Sequence, residues 1–433
     1  MLPPSTAVIG AGPAGCAAAL TLSQAGAAVT VIDKATFPRD KICGDGLTAG
    51  ALRELESLGL SPEAVPSWTP VDDVFVRSPS GRTVCFPLPR DGGAHAVVAR
   101  RADLDAAVLS HTRAAGVEVR EGCGIDGLLR HPDRVELTTS DGDTVVATHV
   151  IAADGMWSPT RKLAGDTLPG YRGDWHAFRQ YFTGVTGPGS RHLWVSFEPD
   201  ILPGYFWSFP LGDGRANVGF GIMRHDGVAP GNKLSHVRDM GQRWPDLLER
   251  SHINELLGPN ATPESPHRAW PIPTRVGGLS LARDRVLYVG DAAAAGDPMT
   301  GEGIGQALLT GRLAAEAVLA APDHAAAAYR DSARAALVAD HRMALLLGRA
   351  LAHRKGARVA VALAGATPWT RRNFARWLFE DYPRALVATP RRWHRGMFTP
   401  PGAYQCDPAA QPEREASDGR PDGGSGSAVA SRS

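Results

Sequence analysis

The sequence predicts an α/β protein in which a parallel sheet is interrupted by an inserted antiparallel sheet and followed by a helical C-terminal extension. Three patterns support this prediction. Residues 6–33 form a strand, a glycine turn, an alanine-rich helix and a second strand, which implies a parallel pair joined by a right-handed crossover. Residues 175–222 alternate and are rich in aromatics, as in an antiparallel sheet. Residues 303–395 follow a mostly helical spacing.

The other elements follow from apolar spacing. Leu52, Leu55 and Leu58 predict a helix after a loop over 37–47. Residues 71–98 alternate like antiparallel strands. Shorter signals predict a helix over 103–115 and buried or half-buried strands at 117–119, 145–146, 149–153 and 286–289.

The composition is that of a globular chain without a charge bias. The 433 residues include 46 basic and 45 acidic side chains, and 43% are hydrophobic, which suffices for a large core. The balanced charge gives no reason to expect nucleic acid as a partner. No apolar run approaches the ~20 residues that cross a bilayer, and the N-terminus lacks the basic region of a signal peptide.

The cysteines and histidines point to no metal. Five cysteines are scattered, and none forms a C-x-x-C pair, which argues against a disulfide framework or a zinc site. The histidines show neither H-x-x-x-H nor H-E-x-x-H spacing. We therefore predict a cytoplasmic protein without a metal site.

The first chemical motif is the glycine turn Gly10-Ala-Gly12-Pro-Ala14-Gly15, with Asp33 at the end of the second strand. Gly10 permits the tight turn, Gly12 lets a pyrophosphate approach the backbone, and Gly15 lets helix and strand pack closely. The helix N-terminus offers N–H groups to phosphate. A carboxylate about 20 residues further on suits ribose hydroxyls. The motif predicts dinucleotide binding, and Asp33 argues against a 2′-phosphate there.

The second motif lies about 280 residues later. A buried strand runs into Gly290-Asp291, then a loop leads to Gly301-Glu-Gly303-Ile304 and a new helix. An aspartate at a strand end suits a ribityl hydroxyl. The following helix directs its positive dipole outward, which favours the negative charge of a reduced flavin.

Together these two motifs resemble the geranylgeranyl reductase family of FAD-dependent oxidoreductases, which has a p-hydroxybenzoate-hydroxylase-like fold. Further stretches carry the resemblance: 37–47, 101–105, 152–161 and 203–219. Ala294 departs from the family pattern, which has glycine there. The resemblance covers about residues 5–325 and implies FAD as cofactor. The cofactor-contacting residues that the motifs and the resemblance predict are Gly10, Gly12, Ala14, Gly15, Asp33, Lys34, Arg39, Gly44, Gly46, Arg101, Asp154, Gly290, Asp291, Pro298, Gly301, Gly303 and Ile304.

Four residues are candidates for the chemistry next to the flavin. Cys43 either relays a proton or lines the pocket as a small apolar group. Asp45 either donates a proton, if burial raises its pKa, or organises its loop. Tyr205 and Trp207 share one strand face, which meets either substrate or core.

The resemblance implies two possible activities. The favoured one is a reductase that transfers hydride from reduced flavin to a C=C bond of an isoprenoid or related apolar substrate. The alternative is a monooxygenase that hydroxylates or epoxidises an aromatic or polyketide-type metabolite. No second strand–GxGxxG–helix unit is present, so the electron donor is either transiently bound NAD(P)H or a reduced ferredoxin.

The chain divides into four predicted parts. The FAD-binding domain comprises residues 1–70, 96–165 and 281–325, and the substrate domain comprises 71–95 and 166–280. Residues 326–403 form a helical region and 404–433 a disordered tail. The basic segment 370–379 is either a peripheral membrane contact or a solvated helix face. The oligomeric state is left open.

Overall fold

The computed structural model describes residues 5–90, 92–167, 169–224 and 237–405. The strands are β1 (Ser5–Ile9), β2 (Ala28–Ile32), β3 (Gly46–Thr48), β4 (Thr69–Pro70), β5 (Asp73–Arg77), β6 (Thr83–Pro87), β7 (Ala96–Val98), β8 (Glu118–Arg120), β9 (Ile125–Arg130), β10 (Val135–Thr139), β11 (Thr144–Ala147), β12 (His149–Ala152), β13 (Trp175–Thr183), β14 (Leu193–Ser196), β15 (Tyr205–Pro210), β16 (Ala216–Met223), β17 (Thr262–Pro263), β18 (Arg268–Ile272), β19 (Ala282–Arg283) and β20 (Val286–Tyr288). The helices are α1 (Pro13–Gln24), α2 (Ala49–Ser57), α3 (Arg101–Ala114), α4 (Pro159–Leu163), α5 (Val237–Leu248), α6 (Ser251–Leu257), α7 (Ile304–Ala320), α8 (Ala325–Leu351), α9 (Arg354–Ala364) and α10 (Pro368–Leu378).

The predicted α/β class is confirmed by a six-stranded, mostly parallel sheet. Its strand order is β19-β20-β12-β1-β2-β8, and β1 pairs in parallel with both β2 and β12. Alanine and glycine dominate the buried residues of α1, so α7 lies directly against it: a Cβ built on Gly311 would stand 2.1 Å from the Ala14 carbonyl oxygen. Small residues thus bring the two glycine-motif helices together.

The second large sheet has eight strands, in the order β17-β13-β16-β15-β14-β5-β6 with β18 also on β13. Its pairs are antiparallel except for β14 with β5, which run parallel. These two strands come from distant parts of the chain, so no hairpin forces them to run in opposite directions. Residues of the predicted insertion therefore build one continuous sheet.

Two small sheets complete the β structure of the described residues. Strands β3, β7 and β4 form one of them, and β9, β10 and β11 form a meander. Strands β9 and β10 were not predicted from the sequence. The alternation in Val135–Thr139, with three of its five residues buried, is the signal that was present there.

The C-terminal helices bridge the two large sheets. The Tyr329 hydroxyl on α8 donates to the carbonyl of Tyr288 on β20. Phe374 on α10 packs against Phe86 of β6 in a tilted arrangement, with 4.7 Å between ring centroids. None of the helices described here combines the length and apolar content needed to cross a membrane.

Tyr404 stands at the start of the predicted tail and is packed. Its ring meets Trp68 edge-on, with 5.5 Å between centroids, and the Ala403 backbone pairs with Ala94. The rest of the predicted tail from Cys406 onward lies outside the described residues.

Candidate active site

The glycine turn before α1 is crowded at Gly10 and Gly15 and has more space at Gly12. A Cβ on Gly10 would lie 2.4 Å from the Ala153 oxygen, and one on Gly15 would lie 1.8 Å from the Gly10 oxygen. Gly12 is different, because the nearest atom to its Cβ position is Arg39 Nη2 at 3.4 Å. No side chain caps α1, so its first N–H groups are available to an anion.

Two arginines and one carboxylate stand beside this turn. Arg101 donates two hydrogen bonds of 2.8 Å to Asp105, and Arg39 Nη1 lies 3.1 Å from the same carboxylate. Burial disfavours the charge on Arg101, but Asp105 more than offsets this and raises the guanidinium pKa. The group keeps a net positive charge, which suits a pyrophosphate.

Asp33 ties the turn to the end of β2. One carboxylate oxygen accepts from the Ala11 N–H at 2.6 Å and the other from the Ala35 N–H at 2.8 Å. A carboxylate accepts about four hydrogen bonds, so capacity remains for ribose hydroxyls. The neighbouring Lys34 is exposed. Asp154 accepts from the Ser158 hydroxyl and the Thr160 N–H, so it caps α4 locally.

The second motif forms a loop of residues 290–303, here called the Glu302 loop, which leads into α7. Helix α7 begins at Ile304 after Gly303 and has no side-chain cap, and a Cβ on Gly303 would meet only Asp291 Oδ1, at 3.9 Å. Lys41 Nζ stands 3.8 Å from Asp291. Gly290 and Gly301 have positive φ, and the Pro298 carbonyl accepts from Trp175 Nε1.

These features fit FAD. The N-termini of α1 and α7 have free N–H groups, the turn is open at Gly12, and Arg39 and Arg101 add positive charge. Such groups could hold the pyrophosphate and the N1 side of a flavin. Ala14 lies at the contact between α1 and α7, where its Cβ would stand 3.1 Å from one built on Gly290.

A buried hydrogen-bond network surrounds Asp45, in the loop of residues 40–46, here called the Asp45 loop. Asp45 Oδ2 accepts from the Tyr181 hydroxyl at 2.6 Å and from Asn217 Nδ2 at 2.8 Å. Asn217 also donates to the Cys43 carbonyl and accepts from Trp207 Nε1. Burial raises the Asp45 pKa to about 6, although Tyr181, Arg179 and Asn217 lower it.

The other sequence candidates stand around this network. Cys43 is half-buried, and burial raises its thiol pKa to about 11, so the group is a neutral thiol at physiological pH. Tyr205 and Trp207 share a face, with 6.0 Å between ring centroids. Gly44 and Gly46 pack against Phe209, since a Cβ on either would lie 3.2–3.3 Å from its ring.

An apolar cavity of about 510 Å³ lies between the antiparallel sheet and the C-terminal helices. Tyr205 and Phe209 line it from β15, whereas Trp207 does not border it. Helices α8, α9 and α10 close the opposite wall with Leu351, Val361 and Phe374. Gly46 and Glu302 stand at one part of its wall, so the cavity reaches both loops that the sequence assigns to the flavin.

Four polar residues of this region were not among the sequence candidates. They are Tyr181, Asn217, Glu302 and Glu380. Asn217 is the polar side chain of an otherwise apolar, glycine-rich strand, and this isolated polar residue could have been noticed in the sequence. The structure shows that it is fully buried. Tyr181 faces Asn217 directly across the β13–β16 pair, which only the sheet register reveals.

Comparison with known proteins identifies sequence relatives and solved structures that cover most of the chain. The sequence profile of an FAD binding domain matches residues 4–204. A menaquinone reductase of Mycolicibacterium smegmatis is 34% identical over 335 residues, covering 71% of this chain and 75% of the relative. A digeranylgeranylglycerophospholipid reductase of Methanopyrus kandleri is 33% identical over 333 residues, covering 71% and 75%. A solved geranylgeranyl bacteriochlorophyll reductase-like protein from Thermoplasma acidophilum shares the fold, with a TM-score of 0.72 at 20% identity over 90% of this chain and 99% of its own.

Proposed function

Because this chain belongs to the geranylgeranyl reductase family of FAD-dependent oxidoreductases, we propose that it reduces a carbon–carbon double bond of an isoprenoid lipid. The observation that supports this substrate is the apolar cavity that reaches both glycine-containing loops. Its volume of about 510 Å³ falls within the range of small-molecule pockets. Apart from Glu302, its lining residues carry no charge, which suits a hydrocarbon chain.

We propose that the phosphate and flavin ends of FAD are held by the residues that the motifs predicted. Gly12, Arg39 and Arg101 would contact the pyrophosphate, and Asp33 would accept hydrogen bonds from the adenosine ribose; the open turn, the positive charge and the free carboxylate capacity support this. Asp291 and the uncapped N-terminus of α7 would contact the ribityl chain and the flavin N1 side. Bound and reduced, this cofactor supplies hydride to the substrate.

The residues of the chain prepare the site for that transfer. Tyr205 and Phe209 give the hydrocarbon a flat aromatic wall and exclude water from the reacting bond. The Tyr205 hydroxyl donates to the Thr300 carbonyl, so β15 is tied to the Glu302 loop. The Asp45 network fixes the backbone at Cys43 through Asn217, and thereby the loop between the cavity and the predicted flavin.

The division into domains is part of the proposal. Residues 1–70, 96–165 and 281–325 would bind FAD, residues 71–95 and 166–280 would shape the substrate side, and residues 326–403 would close the cavity. Limited proteolysis tests this division, because FAD should protect the first group of segments more than the second.

The electron donor is proposed to be NAD(P)H or a reduced ferredoxin. Within the described residues the six-stranded sheet carries the glycine turn after β1 as its dinucleotide motif. Anaerobic mixing of the oxidised holoenzyme with NADH, NADPH or reduced ferredoxin distinguishes the donors, because only the true donor bleaches the flavin spectrum at a useful rate.

A peripheral membrane contact is proposed for the helices that close the cavity. Residues 341–379 contain eight arginines or lysines and no acidic residue. Trp369 and Leu363, which border the cavity, are 66% and 65% exposed, and Leu346 is 59% exposed. Arg376 is buried and paired with Asp381, which leaves seven cations in this segment. Exposed apolar side chains beside these cations suit an anionic lipid surface, from which a lipid would enter the cavity.

Vesicle sedimentation tests this contact. The holoenzyme should bind vesicles that contain phosphatidylglycerol more tightly than pure phosphatidylcholine vesicles, and Trp369→Ser with Leu363→Ser should weaken binding. Leu129→Ser is the matched control, since Leu129 is 57% exposed on β9. Equal binding by the double variant and the control would contradict the contact.

An anaerobic single-turnover experiment tests the reductase function. Holoenzyme reduced with dithionite is mixed with a geranylgeranyl lipid in detergent, without oxygen. Flavin reoxidation together with a lipid that has gained two hydrogens supports the proposal. Flavin that stays reduced until air enters, followed by an oxygenated product, would favour the monooxygenase instead.

A further inference from the structure

Glu302 is an acidic side chain at the wall of the apolar cavity. It lines the cavity together with Gly46, Tyr205 and Phe209, and its Oε1 lies 3.6 Å from the Cβ position of Gly46. It precedes the first residue of α7 by two positions. The carboxyl therefore stands between the hydrocarbon space and the helix end that is placed for the flavin.

Within the described part of the chain, no arginine, lysine or histidine forms an ion pair with Glu302. Arg384 Nε is 2.8 Å from Asp297 Oδ2, and its Nη2 is 3.5 Å from Glu380 Oε1. Two carboxylates thus already share this guanidinium. Among the described residues, no hydrogen-bond donor is found at the Glu302 carboxyl, whereas Glu380 accepts from Gln306 and Thr48.

These surroundings favour the neutral acid. Burial, together with the negative charges of Glu380 and Asp297, raises the Glu302 pKa to about 8 against the opposing effect of Arg384. The charged and titratable groups around it are Cys43, Asp45, Tyr205, Asp297, Glu380 and Arg384. A carboxylic acid that keeps its proton at neutral pH is suited to general acid catalysis.

We propose that Glu302 is the proton donor to the double bond of the lipid in the cavity. This inference rests on the proposed reductase function and assigns its acid. Asp45, the candidate from the sequence, is fully buried and does not border the cavity. Glu302 is the acidic residue that a substrate in the cavity would touch.

The step is balanced in atoms and electrons. The π bond opens, one carbon gains the flavin-derived hydride with its two electrons, and the other gains the proton from Glu302. The Oε–H bond breaks and leaves a carboxylate. That carboxylate recovers a proton from water before the next turnover.

The test compares Glu302→Gln with the wild-type holoenzyme in the anaerobic reaction with a geranylgeranyl lipid. Glutamine keeps the shape but has no acidic proton, so we expect a rate of lipid-driven flavin reoxidation about 100-fold lower, with flavin content and reduction by dithionite retained. Glu249→Gln, at an exposed position on the surface, is the matched control and should react at the wild-type rate.

An infrared pH titration of the substrate-free protein provides a readout independent of turnover. The wild type should show the C=O band of a protonated carboxyl that disappears as pH rises through about 8, and Glu302→Gln should lack it. Glu380→Gln removes a negative charge that raises the Glu302 pKa. In this variant the infrared band should disappear at lower pH, and the reaction rate should also begin to fall at lower pH.

The outcomes separate the two proposals. A wild type that reduces the lipid and a Glu302→Gln variant that is slow and lacks the infrared band support both. A variant that reduces the lipid at the wild-type rate overturns the role of Glu302 and leaves the reductase standing. A wild type that does not reduce the lipid overturns the reductase function, and with it the proton transfer.

Discussion

Asp45 in the Asp45 loop and Glu302 in the Glu302 loop are carboxyl groups with different surroundings. Asp45 is fully buried and receives two hydrogen bonds, from Tyr181 and Asn217. Glu302 faces the cavity and has like charges nearby. Burial raises the pKa of both, to about 6 for Asp45 and about 8 for Glu302. The hydrogen-bond donors and the charge of Arg179 lower the Asp45 pKa, whereas Glu380 and Asp297 raise the Glu302 pKa. Neighbouring groups therefore separate a carboxylate that holds a loop from an acid that keeps its proton at neutral pH.

The comparison also divides structural from chemical roles. At pH 7 the Asp45 side chain is mainly charged, and it holds the Cys43 backbone in place through Asn217. Glu302 is mainly neutral under the same conditions. Substitutions in the two loops and changes of pH either remove this difference between Asp45 and Glu302 or allow it to be measured.

The largest effect is expected from Asn217→Ala, which removes the donor shared by Asp45 and Cys43. Trp207 Nε1 and the Cys43 carbonyl lose this partner, and Asp45 Oδ2 keeps only the Tyr181 hydroxyl. Buried groups left unpaired cost about 1–3 kcal/mol each, and neighbours share the loss, so we expect a decrease of about 3 kcal/mol in the free energy of unfolding by urea. The exposed Asn254→Ala is the control; a loss below about 1 kcal/mol for Asn217→Ala would show that the network is unimportant.

The next effect is the pH dependence of stability. For both carboxyls the folded pKa lies above the unfolded value, so each contributes stability that is present at low pH and lost as pH rises through the folded pKa. For Asp45 most of this loss has occurred by about pH 6. For Glu302 it continues to about pH 8.

Thermal unfolding from pH 6 to pH 8 isolates Glu302. The wild type should lose roughly 1–2 kcal/mol more than Glu302→Gln over this interval, after a discount for water in the cavity. Differential scanning calorimetry in buffers of equal ionic strength measures the difference. Parallel curves for the two proteins would mean that Glu302 is charged throughout this range.

The smallest effect concerns backbone strain in the two loops. Asp45 has φ 65° and Ala294 has φ 51°, both in the left-handed region that costs a residue with a Cβ about 1–2 kcal/mol. Ala294→Gly should raise the free energy of unfolding by about 1 kcal/mol, as measured in urea. The control is Ala366→Gly at an exposed helix connection. Destabilisation by Ala294→Gly would mean that the Ala294 methyl packs favourably enough to outweigh the strain.

The left-handed conformation explains the departure of Ala294 from the family glycine. Relative to that glycine, alanine adds a methyl group. Ala294 is fully buried and left-handed, so its φ of 51° carries the conformational cost of a residue with a Cβ.

Much of the cofactor side followed from the sequence. The glycine turn, the helix that follows it and the strand ending at Asp33 occupy 28 consecutive residues, 6–33, and their hydrogen bonds are local or between neighbouring strands. Sequence spacing is enough to predict such a unit, because the crossover between two parallel strands is almost always right-handed. The family resemblance predicted in this way is confirmed by the relatives.

The substrate side depended on the tertiary structure. Alternation placed Tyr205 and Trp207 on one face of β15, but only Tyr205 borders the cavity, because Trp207 turns its Nε1 to Asn217. Tyr181 and Asn217 meet through the register of β13 and β16. Sequence spacing within one strand carries no information about which residue of another strand stands opposite.

The sequence by itself determined the fold class, the two glycine motifs and the family, because these depend on residues close together in the chain. Only the tertiary structure decided which acid faces the cavity. Asp45 and Glu302 are 257 positions apart, and their proton affinities depend on partners from β13, β16 and the segment after α10. Burial and neighbouring charge belong to the assembled fold, so composition and spacing fix neither of them.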